Sequence, residues 1–222
     1  MAYIPTPPIN PGDLGTSAWA TIVQGNFDAS SVAAVAALGD LTGGTGANAL
    51  ARLAAGAAGT TLVPDAGEAT GLLWQLQPAV RVYNTIDIDP ATGAWVTLTF
   101  DSEEFDTDAM HAAAPNPSRL TAPNNGGGLY LIGGHVEFDL TALADPRCEI
   151  GIRILINGAG VIAQTQLVTR ADINAVLSIS TLYQILATNW VELQIWTSED
   201  VDIKASLNYS PFFWATWQRP SP

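Results

Sequence analysis

The stretch FDSEEFDTDAMHAAAPNPSRLTAPNNGGGLYLIGGHVEF, from Phe100 to Phe138, decides the fold. In its last part and just beyond, apolar residues fall on one face: Tyr130, Ile132, Val136, Phe138 and Leu140. The polar residues His135, Glu137 and Asp139 fall on the other face. Alternation with period two predicts a half-buried antiparallel strand. The acidic residues at the start predict a turn, and the Pro-, Asn- and Gly-rich residues that follow predict a long surface loop.

From Val80 onward the chain reads as short strands separated by turn residues. The predicted strands, besides the one just described, are 80–86, 95–100, 150–156, 161–168, 173–185, 190–196, 201–207 and 210–218. Alternation predicts that Val96, Leu98 and Phe100 point inward, and that Ile150, Ile152, Ile154 and Ile156 form a buried row. The pair Asn157–Gly158 predicts a β-hairpin. Eight to ten short strands without a helix between them predict an all-β sandwich or barrel.

Several short motifs follow one another in a fixed order over residues 80–219. They are DTDAMH and NPSRLTAP in the loop, the strand ending in VEF, RILING (Arg153–Gly158), WVELQIW (Trp190–Trp196) and SPFFWATWQ (Ser210–Gln218). This order resembles the C1q/TNF-like jelly-roll head domain, in particular versions carried by virion proteins of tailed bacteriophages. The resemblance implies two antiparallel sheets built from Greek keys in residues 80–222. It also implies a homotrimer located in a virion that is assembled in the host cytoplasm.

Residues 1–38 are predicted to be an attachment arm. The first fifteen residues are rich in proline and glycine, which predicts extended or irregular chain. A helix is predicted from Thr16 or Ser17, with an apolar stripe made of Trp19, Ile22, Val23 and Phe27. A second short helix is predicted over 28–38, ended by Gly39. We expect the stripe to bind other virion structural proteins.

Residues 39–79 are rich in glycine and alanine and are predicted to be a connector between arm and head. The part from Leu53 to Trp74 resembles the connecting module that precedes phage fibre and head domains. Gly44, Gly46 and Ala49 match the spacing of a dinucleotide-binding fingerprint. That fingerprint requires a preceding strand and a βαβ unit, which the surrounding sequence does not predict.

Composition excludes several classes of function. The formal net charge is −13, with Lys204 as the single lysine, so we expect neither nucleic acid nor an anionic membrane surface as a partner. No apolar run reaches the roughly 18 residues of a spanning helix. The first residues lack the pattern of a signal peptide. Cys148 is the single cysteine, which excludes an intrachain disulfide and a cysteine zinc cluster and predicts a packed or partly exposed thiol.

The residue types that carry catalysis do not form a known motif. The two histidines, His111 and His135, lack the partners of a hydrolase or zinc motif, so we predict that the chain is not an enzyme. Acidic residues cluster at Asp87/Asp89, Glu103/Glu104, Asp106/Asp108 and Glu199/Asp200/Asp202. Calcium is one interpretation of such clusters, but their spacing is not that of an EF-hand, and solvated turns are the favoured one. No cofactor is predicted.

Three tryptophans are predicted to point away from the core: Trp95, Trp190 and Trp196. Large outward aromatic residues mark interfaces, and sister subunits are the favoured partner. A host-surface glycan or receptor is the alternative.

Together these features predict a non-enzymatic bacteriophage virion structural protein with a trimeric head. The favoured role is a minor tail or tail-tip fibre protein that contacts the host surface. The alternatives are a capsid decoration or head-fibre protein and, in another class, a secreted bacterial C1q-like carbohydrate-binding protein. The missing signal peptide argues against the last of these.

Overall fold

The computed structural model describes residues 36–46, 49–143, 147–170, 173–206 and 209–220. The predicted attachment stripe of Trp19, Ile22, Val23 and Phe27 lies outside these residues, as does the predicted second helix apart from its last positions. Residues 36–40 form a turn in which Gly39 has a φ of 84°. The chain divides into two compact units, Met1–Gln75 and Leu76–Pro222. The boundary between these units falls within the predicted connector.

The described part of the first unit consists of two small antiparallel sheets. Strands β1 (Leu41–Gly46) and β2 (Ala49–Leu53) form one, and β3 (Thr60–Pro64) and β4 (Leu72–Leu76) form the other. Gly44 and Gly46 therefore lie in a strand, not in the strand-to-helix turn that a dinucleotide-binding site requires. Near them, the Arg52 side chain and nearby backbone N–H groups hold the pKa of Asp40 well below its usual range.

The described part of the second unit contains eleven strands. They are β5 (Ala79–Tyr83), β6 (Val96–Thr97), β7 (Ser102–Asp106), β8 (Arg119–Thr121), β9 (Gly128–Asp139), β10 (Arg147–Ile156), β11 (Gly160–Arg170), β12 (Ala175–Ile185), β13 (Trp190–Thr197), β14 (Asp202–Ile203) and β15 (Phe212–Pro220).

These strands form two antiparallel sheets. The six-stranded sheet has the order β12-β9-β15-β5-β7, with β14 paired to β9. The five-stranded sheet has the order β11-β10-β13-β6, with β8 also paired to β13. Among the described strands of this unit, only β10 and β11 are sheet neighbours that follow each other in the chain. Most of the other connections cross from one sheet to the other. This is a Greek-key jelly roll, so the predicted all-β fold is confirmed.

The core lies between the two sheets and follows the predicted alternation. The five apolar residues around β9, from Tyr130 to Leu140, are fully buried. So are Ile150, Ile152 and Ile154 of β10, whereas Ile156 at the strand end is only half-buried. Leu193 of the five-stranded sheet packs against Gly134 of β9, where an added Cβ would lie 2.8 Å from the leucine. Glycine at this position therefore lets the sheets approach closely.

The predicted hairpin at Asn157–Gly158 is present between β10 and β11. Both residues have positive φ, 52° and 71°, as a tight hairpin turn requires. Cys148 is fully buried near the start of β10, in agreement with a packed thiol.

The second unit differs from the prediction in several places. The predicted strand 95–100 is reduced to β6 (Val96–Thr97), and the predicted strand 201–207 is reduced to β14 (Asp202–Ile203). The first predicted strand ends at Tyr83 rather than Ile86, and Ile86 is 69% exposed. The acidic segment predicted as a turn contains β7, whose side chains are mostly exposed or half-exposed. An edge strand of this kind carries no apolar alternation that could reveal it. The predicted long loop contains the three-residue strand β8, in which Leu120 is buried. A strand of three residues is too short to show a period of two in the sequence.

Candidate interaction site

The outward surface of the six-stranded sheet, here called the six-stranded face, carries an unusual amount of aromatic surface. On β15 the inward residues are Phe213, Ala215 and Trp217, all buried. The outward residues of the same strand include Phe212 and Trp214, which are half-buried. A strand with apolar side chains on both faces is typical of a sheet that is covered on both sides. In the second unit, the core covers only the inward face of the six-stranded sheet.

Trp214 lies flat on this face because its neighbour across the strand pair is a glycine. Trp214 pairs with Gly133 on β9 and with Arg81 on β5. A Cβ added at Gly133 would lie 2.5 Å from the Cζ2 atom of the indole. Only glycine leaves room for the indole to rest on the β9 backbone at this point.

A cleft of about 510 Å³ opens at the β5–β7 edge of the six-stranded face. Its lining is mostly apolar and includes Ala79, Phe105, Phe212, Trp214 and Thr216, with Arg81 as its one charged residue. Phe105 is 46% exposed. Arg81 is held by an ion pair of 2.6 Å to Glu104 and lies 4.5 Å from the centre of the Phe212 ring.

The opposite edge of the same face is formed by β12, which has β9 as its one neighbour in the sheet. Two aliphatic side chains project outward from it, Val176 at 40% exposure and Leu182 at 54% exposure. The six-stranded face therefore has apolar projections at one edge and an apolar cleft at the other.

His135 lies between these two edges. Its ring stacks on Phe212, with centroids 4.9 Å apart and planes 4° apart, and meets the Tyr209 ring edge-on at 5.0 Å. Nδ1 lies 2.8 Å from the Ser178 hydroxyl oxygen on β12. Burial lowers the pKa of His135, against a raising effect of Glu137, and Arg81 lowers it further. The neutral imidazole is thus favoured here.

The three tryptophans predicted at an interface belong to the other sheet. Trp190 and Trp196 point outward from β13, since Val191, Leu193 and Ile195 between them are fully buried. The Arg119 guanidinium lies 4.1 Å from the Trp190 ring centre, and the Arg153 guanidinium lies 4.2 Å from that of Trp95.

Trp95 also contacts Trp196, with ring centroids 6.1 Å apart. Arginine and tryptophan side chains of the same chain thus cover much of the aromatic surface on the five-stranded sheet. A role of these tryptophans in a subunit or receptor contact stays a prediction.

The His111 side chain stabilises the loop that precedes β9. Its buried ring places Nδ1 2.8 Å from a Glu103 carboxylate oxygen and Nε2 3.1 Å from the Pro117 carbonyl oxygen. Its backbone N–H donates to the Asp106 carboxylate at 2.8 Å. Both ring nitrogens of His111 therefore hold the loop. His111 and His135 lie in different environments.

Two of the acidic residues, Asp87 and Asp139, are paired with the same lysine. Lys204 bridges Asp87 at 2.9 Å and Asp139 at 3.0 Å, which joins the segment around β14 to β9. A second cleft, of about 490 Å³, is lined in part by Asn84, Asp87, Asp89, Phe100 and Asp101. Among the residues that the structure describes, no three His, Cys, Asp or Glu side chains converge to hold a metal ion. No helix in that same part of the chain is long and apolar enough to cross a bilayer.

Comparison with known proteins finds likeness at the level of structure. No protein-family profile and no curated protein sequence matches the chain. Murine APRIL at pH 5.0 aligns with 64% of this chain and 99% of its own, at 8% identity and a TM-score of 0.48. The globular domain of zebrafish complement 1qA aligns with 63% of this chain and 93% of its own, at 11% identity and a TM-score of 0.38. The jelly-roll assignment rests on the strand order, and no function is transferred from these proteins.

Sequence reasoning did not single out the residues of the six-stranded face: Phe105, Leu182, Phe212 and Trp214. One signal for two of them was present. In the run FFWATW of β15, apolar residues occupy both faces of the strand, which indicates a strand that is covered on both sides. Phe105 and Leu182 gave no such signal, because their place on this face depends on strand order.

Proposed function

We propose that this chain is a non-enzymatic structural protein whose jelly-roll unit forms a homotrimeric head through the six-stranded face. The proposal rests on one observation: one edge of this face carries a projecting apolar side chain, and the other edge carries an apolar cleft. Leu182 projects from β12 at one edge, and the cleft beside Trp214 opens at the other. Docking Leu182 of one copy into the cleft of the next removes apolar surface from water on both copies.

Contacts of this kind are head-to-tail, because different surfaces of the two copies meet. A head-to-tail contact forms a closed ring when its rotation closes, and cyclic symmetry then hides the same surface on every subunit. The number three comes from the sequence resemblance to C1q/TNF-like heads. The cleft's one cation, Arg81, is already paired with Glu104, so an aliphatic side chain entering the cleft meets no unpaired charge there.

The trimer is tested by sedimentation velocity of the full chain at micromolar protomer concentration. We expect the wild type to sediment as a trimer and Leu182→Asp as a monomer, because a carboxylate in an apolar cleft loses its hydration. Val168→Asp is the matched control, since Val168 is 63% exposed on β11 of the other sheet and should leave the trimer intact. A monomeric wild type refutes the trimer. A trimeric Leu182→Asp variant refutes the assignment to this face.

We further propose that this head is carried by a tailed-bacteriophage virion, as a minor tail or tail-tip fibre protein that contacts the host surface. Support comes from the order of sequence motifs over residues 80–219 and from the proline-rich arm that precedes the connector. A capsid decoration or head-fibre protein is the second placement, and a secreted bacterial C1q-like carbohydrate-binding protein is the third.

Deleting residues 1–38 tests the virion role, because the arm is the proposed attachment to other virion proteins. We expect the shortened chain to remain a folded trimer that is absent from purified particles. Trp19→Ala combined with Phe27→Ala should reproduce much of this defect. Incorporation of the shortened chain at normal copy number would show that the attachment site lies in the head instead.

A further inference from the structure

His135 occupies the middle of the six-stranded face, between the projecting edge and the cleft. Its Nδ1 atom is taken by the Ser178 hydroxyl. Its Nε2 atom is shielded from solvent and has no hydrogen-bond partner within the described chain. In the neutral ring with hydrogen on Nδ1, the unpartnered Nε2 carries only a lone pair. In the charged ring Nε2 carries an N–H donor, and a buried donor without an acceptor is costly.

The charged groups around His135 offset that cost only in part, because Glu137 raises the pKa of His135 and Arg81 lowers it. On β5, the Arg81 guanidinium lies over the same Phe212 ring on which His135 stacks. On β9, the Glu137 carboxylate is the nearby anion, and one of its oxygens already accepts a hydrogen bond of 2.8 Å from the Asn174 amide. The other neighbours are Ser178 on β12, Phe212 on β15 and Tyr209 in the segment before β15.

We propose that His135 makes the subunit contact acid-sensitive, so that its protonation drives the head from trimer to monomer. This inference rests on the proposed trimer. When a second copy covers the six-stranded face, the His135 ring loses the remaining water around it. The charged ring then loses its remaining hydration in addition to lacking an acceptor at Nε2, while the neutral ring keeps its hydrogen bond to Ser178. The separated subunit takes up the proton at lower cost, because His135 is only half-buried there and the charged ring keeps part of its hydration.

The sign and size of the effect follow from linkage. Burial lowers the pKa of His135 in the single subunit, and docking is expected to lower it further. The trimer therefore loses stability as the pH falls through the lowered pKa of the separated subunit, which lies below the ordinary histidine value of about 6.5. At pH 5.5, one unit below that value, the association constant falls by at most about tenfold for each His135. Three copies give a limit of about 10³.

The experiment measures the trimer dissociation constant of the full chain by sedimentation at pH 7.5, 6.5 and 5.5. This range leaves most carboxylates ionised, and His111 is the only other histidine in the chain. The variants are His135→Gln and His135→Asn, which keep an amide near Ser178 but cannot become charged. Tryptophan fluorescence and circular dichroism at each pH show whether every protein remains folded.

We expect the trimer dissociation constant of the wild type to rise as the pH falls to 5.5, within the limit of about 10³, and that of at least one folded His135 variant to stay constant. A wild-type dissociation constant that does not change over the three pH values overturns the acid inference and leaves the proposed trimer standing. Equal acid dissociation of wild type and variants also overturns it and assigns the response to another group. A wild type that is monomeric even at pH 7.5 overturns both the inference and the proposed trimer.

Discussion

Replacing Ile154 with alanine tests the core of the jelly roll. Ile154 is fully buried in β10, between Ala163 on β11 and Leu193 on β13. The change removes three carbon atoms, worth about 0.8 kcal/mol each by transfer, and leaves a cavity in addition. We expect a loss of about 2–5 kcal/mol in the free energy of unfolding. For a unit of this size, about 3 kcal/mol corresponds to a fall in Tm of roughly 6–12 °C.

Ile156→Ala is the matched control for this prediction. It changes the same residue type in the same strand, but Ile156 is only half-buried at the strand end. Its truncation should cost about 1 kcal/mol, since less surface was removed from water and no closed cavity remains. Urea unfolding at a fixed protomer concentration, followed by tryptophan fluorescence, compares the two variants with the wild type. Equal midpoint changes in both, or none in Ile154→Ala, would refute the burial argument.

The remaining predictions concern a carboxylate and a pair of glycines. The Thr141 hydroxyl and N–H lower the pKa of Asp139 to about 2, so Asp139→Asn should cost about 1 kcal/mol of unfolding free energy at pH 6. The difference in urea unfolding should shrink as the pH falls from about 4 toward 2, and a gap at pH 2 as large as that at pH 6 would contradict a charge effect. Gly133→Ala should displace Trp214 and weaken the proposed trimer in sedimentation. Gly134→Ala, facing the core, should leave self-association nearer wild type, and the reverse pattern would contradict the assigned faces.

Much of the core was predictable from the sequence, because strand phase is a local property. A side chain faces the core or solvent according to its position in a period of two, and neighbouring residues are enough to show that period. Tyr130 to Leu140 and the isoleucines of β10 follow it, and the hairpin follows from the special conformations of Asn157 and Gly158. The sequence resemblance added the jelly-roll order of the strands, which the observed topology confirms.

The sequence prediction missed strands that are stabilised by pairing with other strands and that show no alternation of apolar residues of their own. The segment Ser102–Asp106 is polar and exposed, yet it pairs along β5 at the sheet edge. The segment Arg119–Thr121 is too short to show a period, yet it pairs with β13 and buries Leu120. Backbone hydrogen bonds to a distant strand stabilise both segments, and a scan of contiguous residues does not contain that information.

The sequence by itself determined which side of each long strand is apolar, because that choice depends on residues next to one another. The tertiary structure decided which outward side chains meet on the six-stranded face. Phe105 and Trp214 are more than one hundred residues apart in the chain, and the order β12-β9-β15-β5-β7 places both beside one cleft. The same order brings His135 against Phe212 and Ser178. Such groupings depend on pairings between distant strands, so period and composition could not reveal them.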